Sequence, residues 1–228
     1  MASNTALLSF FTSDYQPLHD LNGPVKDAYC AKQGHKHIVK VAPYQPRDLY
    51  YAFDRLYFLR DLLFGGLPEG EGIDTVLVMN GHAQVMNHNV LVESFLDADH
   101  DFYITKDISG LNAGVFIVRK TEWLKTWLNH ILSLEPIHKS KVQFEQTLFQ
   151  ENWERPEFKS RIKICPQNDF NSYRYDFYHI PTTHPGQFKP GDFCLHAPGK
   201  HVNAGNQSLL ESRLAIFRSP EITSQIIW

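Results

Sequence analysis

The sequence predicts a single α/β domain with a mostly parallel central sheet, and three observations carry that prediction. Strand-like apolar runs alternate with helix-period segments from residue 6 to residue 132, the order expected of successive βα units. Val76 to Met79 is an uninterrupted apolar run, which suits a strand buried on both faces of a parallel sheet. That run leads straight into Asn80-Gly81-His82, a polar cluster at a strand's carboxyl end, where open α/β sheets place their ligands.

Taken in order, Ala6 to Phe11 reads as the first strand, ending in Thr12-Ser13-Asp14. Asn22 to Gln33 reads as a helix, with Asn22 as N-cap, Pro24 in its first turn and Gly34 as its stop. His37 to Val41 is a short strand, and Leu49 to Phe64 is a helix whose Leu56, Leu59 and Leu63 share a face. After the central strand come a short helix near Asn89 to Leu96 and strands at Phe102 to Thr105 and Ala113 to Val118. Thr121 to Leu132 is a helix with Trp123, Trp127 and Ile131 on one face, a spacing that fits core packing. Lys141 to Gln150 reads as helical, with Glu145 and Gln146 in its middle. Beyond Pro156 the chain turns irregular, with short strands near Ile162 to Ile164 and Phe193 to Leu195. An amphipathic helix over Ser208 to Phe217 closes it.

Composition narrows the function classes. A length of 228 residues allows a substantial core. A formal net charge of −3 gives no basic excess and so no pointer to nucleic acid. Cys30, Cys165 and Cys194 are odd in number and widely spaced, which predicts free thiols and no metal knuckle. No apolar stretch approaches the roughly 20 residues that cross a membrane. The expectation is a cytoplasmic protein, or the soluble part of one whose anchor lies elsewhere. The oligomeric state is not legible.

An ordered set of motifs identifies a family. Lys26-x-x-Tyr29 precedes Gly34, and the helix over Tyr51 to Leu63 carries Arg55. Met86-Asn87, Thr105-Lys106-Asp107 and Leu111 to Trp123 (LNAGVFIVRKTEW) follow. Then come Glu145-Gln146, Asn171-Ser172-Tyr173, Gly191-Asp192-Phe193 and His196-x-x-Gly199. In this order they resemble the galactosyl-, mannosyl- and xyloglucan xylosyltransferases of fungi and plants, retaining enzymes of GT-A fold. Asn112-Ala113-Gly114-Val115 also resembles the retaining galactosyltransferases of bacterial lipopolysaccharide synthesis. The resemblance spans residues 6 to 205. It implies a GT-A-like domain with a nucleotide-binding half (1–110), a donor-sugar and acceptor half (111–205) and a C-terminal helix and tail (206–228).

Site roles follow from the resemblance by position. Thr12 and Ser13 would border the nucleotide, and Lys26 and Arg55 would face the base or diphosphate, where cations offset phosphate charge. Asn112 and Gly114 would line the donor sugar, and Gly199 would belong to the donor-binding set. Gln146 would lie beneath the anomeric carbon, stabilising positive charge as a neutral amide. Glu145 would contact the acceptor or stabilise charge, and Asp107 would contact the donor sugar. His196 would join the metal shell.

The departure from the family lies in the central strand. Relatives carry Asp-x-Asp there, whereas this chain has Asn80 and His82. Two carboxylates suit Mn²⁺ or Mg²⁺; imidazoles favour borderline transition metals, although Mn²⁺ also accepts them. Three outcomes stay open: a metal-independent transferase, a transferase holding Mn²⁺ or another transition metal on Asn80, His82 and His196, or a repurposed fold. The expected partners are a nucleotide sugar and a carbohydrate or small-molecule acceptor. The alternatives are a His82/His196 metal or acid–base enzyme on a non-sugar substrate, and a non-catalytic pseudo-transferase. The literal Asp97-Ala98-Asp99 falls in an αβ connection, on the edge opposite the ligand crevice. His35, His37, His88, His130, His138 and His201 read as scattered surface residues.

Overall fold

The structure, a computed structural model, describes residues 4–45, 51–138, 144–174, 183–198 and 206–228. In chain order the main elements are β1 (Thr5–Thr12), α1 (Gln16–Gln33), β2 (Lys36–Ala42), α2 (Tyr51–Phe64), β3 (Thr75–Asn80), β4 (Ala83–Val85), β5 (Phe102–Asp107) and β6 (Gly110–Arg119). They continue with α3 (Glu122–Ser133), α4 (Glu145–Asn152), β7 (Ile162–Cys165), β8 (Ser172–Tyr173), β9 (Cys194–His196) and α5 (Asn206–Arg218).

Six strands form the main sheet in the order β2-β1-β3-β6-β5-β7. The β2–β1, β1–β3 and β5–β7 pairs are parallel. β6 runs antiparallel to both neighbours, because a tight hairpin after Asp107 returns the chain beside β5. The unbroken apolar strands are explained by burial on both faces. Leu8, Phe10, Val76, Val78, Phe116 and Val118 pack with α2 and α3 on one side. Leu7, Leu77, Met79, Val115 and Ile117 pack with Tyr29 and Cys30 of α1 on the other. Neighbouring residues thus enter opposite layers, as the twofold strand period demands. The paired indoles are core: Trp127 is fully buried, and Trp123 packs against the same cluster. Thr121 caps α3, its side chain accepting from the Leu124 amide at 3.2 Å. All three cysteines are buried and unpaired, and burial pushes each thiol up to about 12.

Several expectations are corrected. α1 begins six residues before Asn22, at Gln16, so Asn22 caps nothing; its amide nitrogen donates instead to the Gly81 carbonyl at 3.2 Å. Pro24 lies inside that helix, next to Gly23, whose missing Cβ relieves the clash a proline imposes on its predecessor. Asn89 to Leu96 holds only a 3₁₀ turn, Val92–Phe95. Glu145 and Gln146 stand in the first turn of α4 because Phe144 adopts a φ of 49° and starts the helix there. His35 and His88 are buried against the Tyr29 ring, and the His37 side chain is almost covered. The expected helix ends at Leu49 and Lys141, and His201, fall outside the described residues, as does the side chain of His138.

A smaller sheet, β4-β9-β8, sits beyond the carboxyl end of β3. Its strands of two or three residues are too short to show a sequence period. Its register decides the site: Ala83 pairs with His196, which brings His82 beside it, and Tyr173 pairs with His196 from the other side.

Candidate active site

Sheet polarity gathers the chemistry at one edge. The parallel strands β1 and β3 end there at Thr12 and Asn80, β5 ends at Asp107, and the antiparallel β6 begins there with Asn112 and Gly114. The first turn of α4 is tied to the same place, because the Gln146 Oε1 accepts from the Ala113 amide at 3.0 Å. The opposite edge carries an open hollow of about 550 Å³ lined by Asp74, Thr75, Asp97, Arg119 and Lys120, among others. Asp97 belongs to that edge. Lys163 reaches its carboxylate at 3.0 Å, and hydrogen bonds from His100 and Lys163 hold it well below the usual carboxylate range.

Arg55 organises the centre of the site. It is 2% exposed. One Nη donates to the Asn80 Oδ1, and the other to the Ala113 carbonyl and the Glu145 Oε1, both at 2.8 Å. Its Nε is buried without a partner. Burial raises the Glu145 pKa, and the Arg55 charge works against that rise. The position of Glu145 at a helix N-terminus also favours its charged form.

Lys26 is fully buried, so it faces the interior; neither it nor Arg55 lies on a solvated helix face. Its ammonium reaches the Ser9 Oγ at 3.3 Å and the Asn80 carbonyl at 3.4 Å. Burial pushes it down to about 8. Ser9, His37 and Asp27 have the spacing of a nucleophilic triad, with Ser9 2.9 Å from the His37 Nε2 and Asp27 2.6 Å from the Nδ1. Ser9 has no exposed surface, however, and its Oγ is already engaged by His37 and by the Lys26 ammonium, which leaves it no role as a nucleophile. Ser9 and His37 form a covered polar pair that ends at Asp27, an exposed carboxylate on α1.

His82 and His196 stack with ring centroids 4.9 Å apart. Burial, then the charges of Arg213, Arg55 and Lys26, push both pKa values well below the ordinary value, so both rings are neutral near neutrality. Arg213 of α5 is fixed by the Ala197 carbonyl at 2.9 Å and by the Tyr15 hydroxyl.

The residues present do not fit a divalent cation. A guanidinium only donates, so Asn80 must turn its oxygen, the atom a metal needs, toward Arg55. Its amide nitrogen then faces the His82 Nε2 at 3.4 Å and covers that lone pair too. Of the three expected ligands, only the buried, partnerless Nε2 of His196 stays uncommitted. The cations that depress both imidazoles also make this a positive field, which attracts phosphate and repels Mn²⁺. Among the described residues, no group of three His, Cys, Asp or Glu side chains is placed to hold a metal.

The remaining expected residues converge unevenly. Asp107 accepts from the Asn112 amide at 2.9 Å and from the Tyr173 hydroxyl at 2.7 Å, and Asn112 in turn accepts from the Gly114 amide at 2.9 Å. Gly114 allows a close approach, but by a side chain: a Cβ there would stand 2.2 Å from the His196 Cε1. Thr12 ends β1 at the same edge and the exposed Ser13 follows it, while Gly199 lies outside the described residues. Sequence reasoning assigned no role to Tyr15, Asn171, Tyr173 or Arg213. Asn171 and Tyr173 were visible in the Asn-Ser-Tyr triplet, whereas nothing singled out Arg213 in the last helix.

A sequence profile of the galactosyl transferase GMA12/MNN10 family matches residues 69–204. No curated protein sequence matches the chain. Among solved structures, a glycosyltransferase involved in glycosylation of the major capsid of PBCV-1 aligns with a TM-score of 0.69 at 14% identity, over 92% of this chain and 98% of its own. The glycosyltransferase GlyE of Streptococcus pneumoniae TIGR4 aligns at 0.57 and 14% identity, over 97% of this chain and 63% of its own. An active-site mutant of LgtC aligns at 0.50 and 14% identity, over 96% and 99%. At such identities the likeness establishes the fold. No helix among the described residues is long and apolar enough to cross a membrane.

Proposed function

The chain belongs to the galactosyl transferase GMA12/MNN10 family and has the GT-A glycosyltransferase fold; from that premise we propose that it moves a sugar from a nucleotide sugar to an acceptor hydroxyl with retention, and without a divalent metal at the diphosphate. The observation that carries the reading is the Arg55 centre, a buried guanidinium bonded to Asn80 in the place where the family's metal carboxylates would stand.

In this reading the protein's own cations meet the departing diphosphate. The positive field of the buried Lys26, Arg55 and Arg213 supplies the charge stabilisation that a metal supplies elsewhere. Gln146, fixed by the Ala113 amide, lies beneath the sugar and stabilises positive charge at the anomeric carbon without becoming a strong nucleophile. The acceptor hydroxyl attacks from the leaving-group side, so configuration is kept. Glu145, whose charge Arg55 balances, holds the acceptor. Asp107, Asn112 and Gly114 border the donor sugar. A His82/His196 acid–base enzyme draws less support, because both pKa values lie well below the ordinary value, which makes both rings weak bases with little imidazolium to act as acid.

The test is nucleotide release from a panel of UDP- and GDP-sugars, with the anomeric configuration of the product read by proton NMR. Release of nucleotide with an axial-to-axial product supports the reading. Turnover of no member, or an inverted product, overturns it.

A further inference from the structure

Four side chains form a hydrogen-bonded chain whose directions can be deduced one at a time. A carboxylate oxygen accepts, so the Tyr173 hydroxyl spends its hydrogen on Asp107 Oδ2 at 2.7 Å. The phenol oxygen is then an acceptor, and the end of the Asn171 amide 3.4 Å from it must be the NH₂. That same nitrogen donates to the Thr105 Oγ1 at 2.8 Å. The other end of the amide, its oxygen, faces the His196 Nδ1 at 2.7 Å, so Nδ1 carries a hydrogen. In a neutral imidazole this leaves a bare lone pair on Nε2, the atom that is buried without a partner beside Gly114.

We propose that Asp107, Tyr173 and Asn171 are positioning residues that lock His196 in the Nδ1–H tautomer, so that its Nε2 offers a lone pair at the sugar end of the site. Such an atom takes a hydroxyl hydrogen and refuses a phosphate oxygen, which sorts His196 with the sugar and Arg55 with the diphosphate. That sorting rests on the transferase reading; the tautomer does not. His196 has no freedom to rotate out of the arrangement, because the His82 ring stacks on it and the Tyr173 ring meets it edge-on, 5.4 Å between centroids.

The experiment is long-range ¹H–¹⁵N NMR of the histidine ring nitrogens in the full chain at pH 7, with no ligand added. The wild type is expected to show His196 with a protonated Nδ1 and an unprotonated Nε2. Asn171→Asp, which keeps the acceptor, should preserve that pattern. Asn171→Leu, which removes the acceptor, should shift the ring to the Nε2–H tautomer or to a mixture, and Tyr173→Phe, which frees the amide to flip, should give a mixture. A wild-type Nε2–H tautomer or an imidazolium would overturn the proposal without any variant having to fold. An unchanged tautomer in folded Asn171→Leu would overturn it as well. Absence of sugar transfer would count against the proposed function alone, because the ring resonances report the relay whether or not a sugar is moved.

Discussion

Replacing Gly114 with alanine tests whether the glycine serves the histidine or the ligand. The added Cβ would lie 2.2 Å from the His196 Cε1 and 2.7 Å from its Nε2. Carbon atoms rest about 3.5–4.0 Å apart, so the ring must retreat by about 1.3 Å or more. It has little room, since His82, Tyr173 and the 2.7 Å bond to Asn171 hold it on three sides. Overpacking of this kind costs about 1–3 kcal/mol, and losing the hydrogen bond adds about 1, for about 2–4 kcal/mol in all. With an unfolding entropy of about 2.1 cal/mol/K per residue, that corresponds to a Tm lower by about 4–8 °C. Urea denaturation of Gly114→Ala, His196→Ala and the double variant closes a cycle, in which the double variant should lose less than the sum of the singles by about 1–2 kcal/mol. A Gly114→Ala protein of wild-type stability, or a cycle with no coupling, would refute the packing argument and return Gly114 to the role of a pure ligand contact.

Two further predictions follow from the buried charges. Arg55→Met leaves Glu145 buried without its counter-ion and should cost about 3–5 kcal/mol in urea denaturation. Adding Glu145→Gln should recover a large part of it, and a cost below about 1 kcal/mol would deny the pair its structural weight. Lys26, held at about 8 against an unfolded 10.5, binds fewer protons folded than unfolded between those values, so its burden on stability is full below pH 8 and fades as pH rises toward 10.5. Measured against Lys26→Met, the wild type should therefore gain about 2 kcal/mol between about pH 8 and pH 10. A flat difference would mean that the ammonium is not desolvated.

Long, strongly patterned elements were legible in the sequence because burial on both faces leaves a continuous apolar run and a packed helix leaves a stripe. Val76 to Met79 and the Leu56-Leu59-Leu63 face are the clear cases. The start of α1 was missed because Gly23-Pro24 looks like a boundary, while tertiary packing against β1 and β4 carries the helix through it. The small β4-β9-β8 sheet was invisible for want of length, and with it the register that stacks His82 on His196. Motif order pointed to the edge of the sheet where β1, β3 and β5 end. It could not say which way Asn80 turns its amide, because that depends on Arg55, twenty-five positions away in the chain and on another layer. The relay from Asp107 to His196 was hidden for the same reason: its members lie on β5, β8, β9 and the loop before β8.

The central claim is that fixed cations stand where the family places a metal. It is tested most directly by stripping the protein of divalent ions and measuring nucleotide release from UDP- and GDP-sugars in excess EDTA, then again with Mn²⁺ added. Rates that agree within about twofold are predicted, since every contact assigned to the diphosphate belongs to the chain itself. A rate that falls tenfold or more in EDTA and returns with Mn²⁺ would contradict the account, and would mean that Asn80 releases Arg55 to bind the ion.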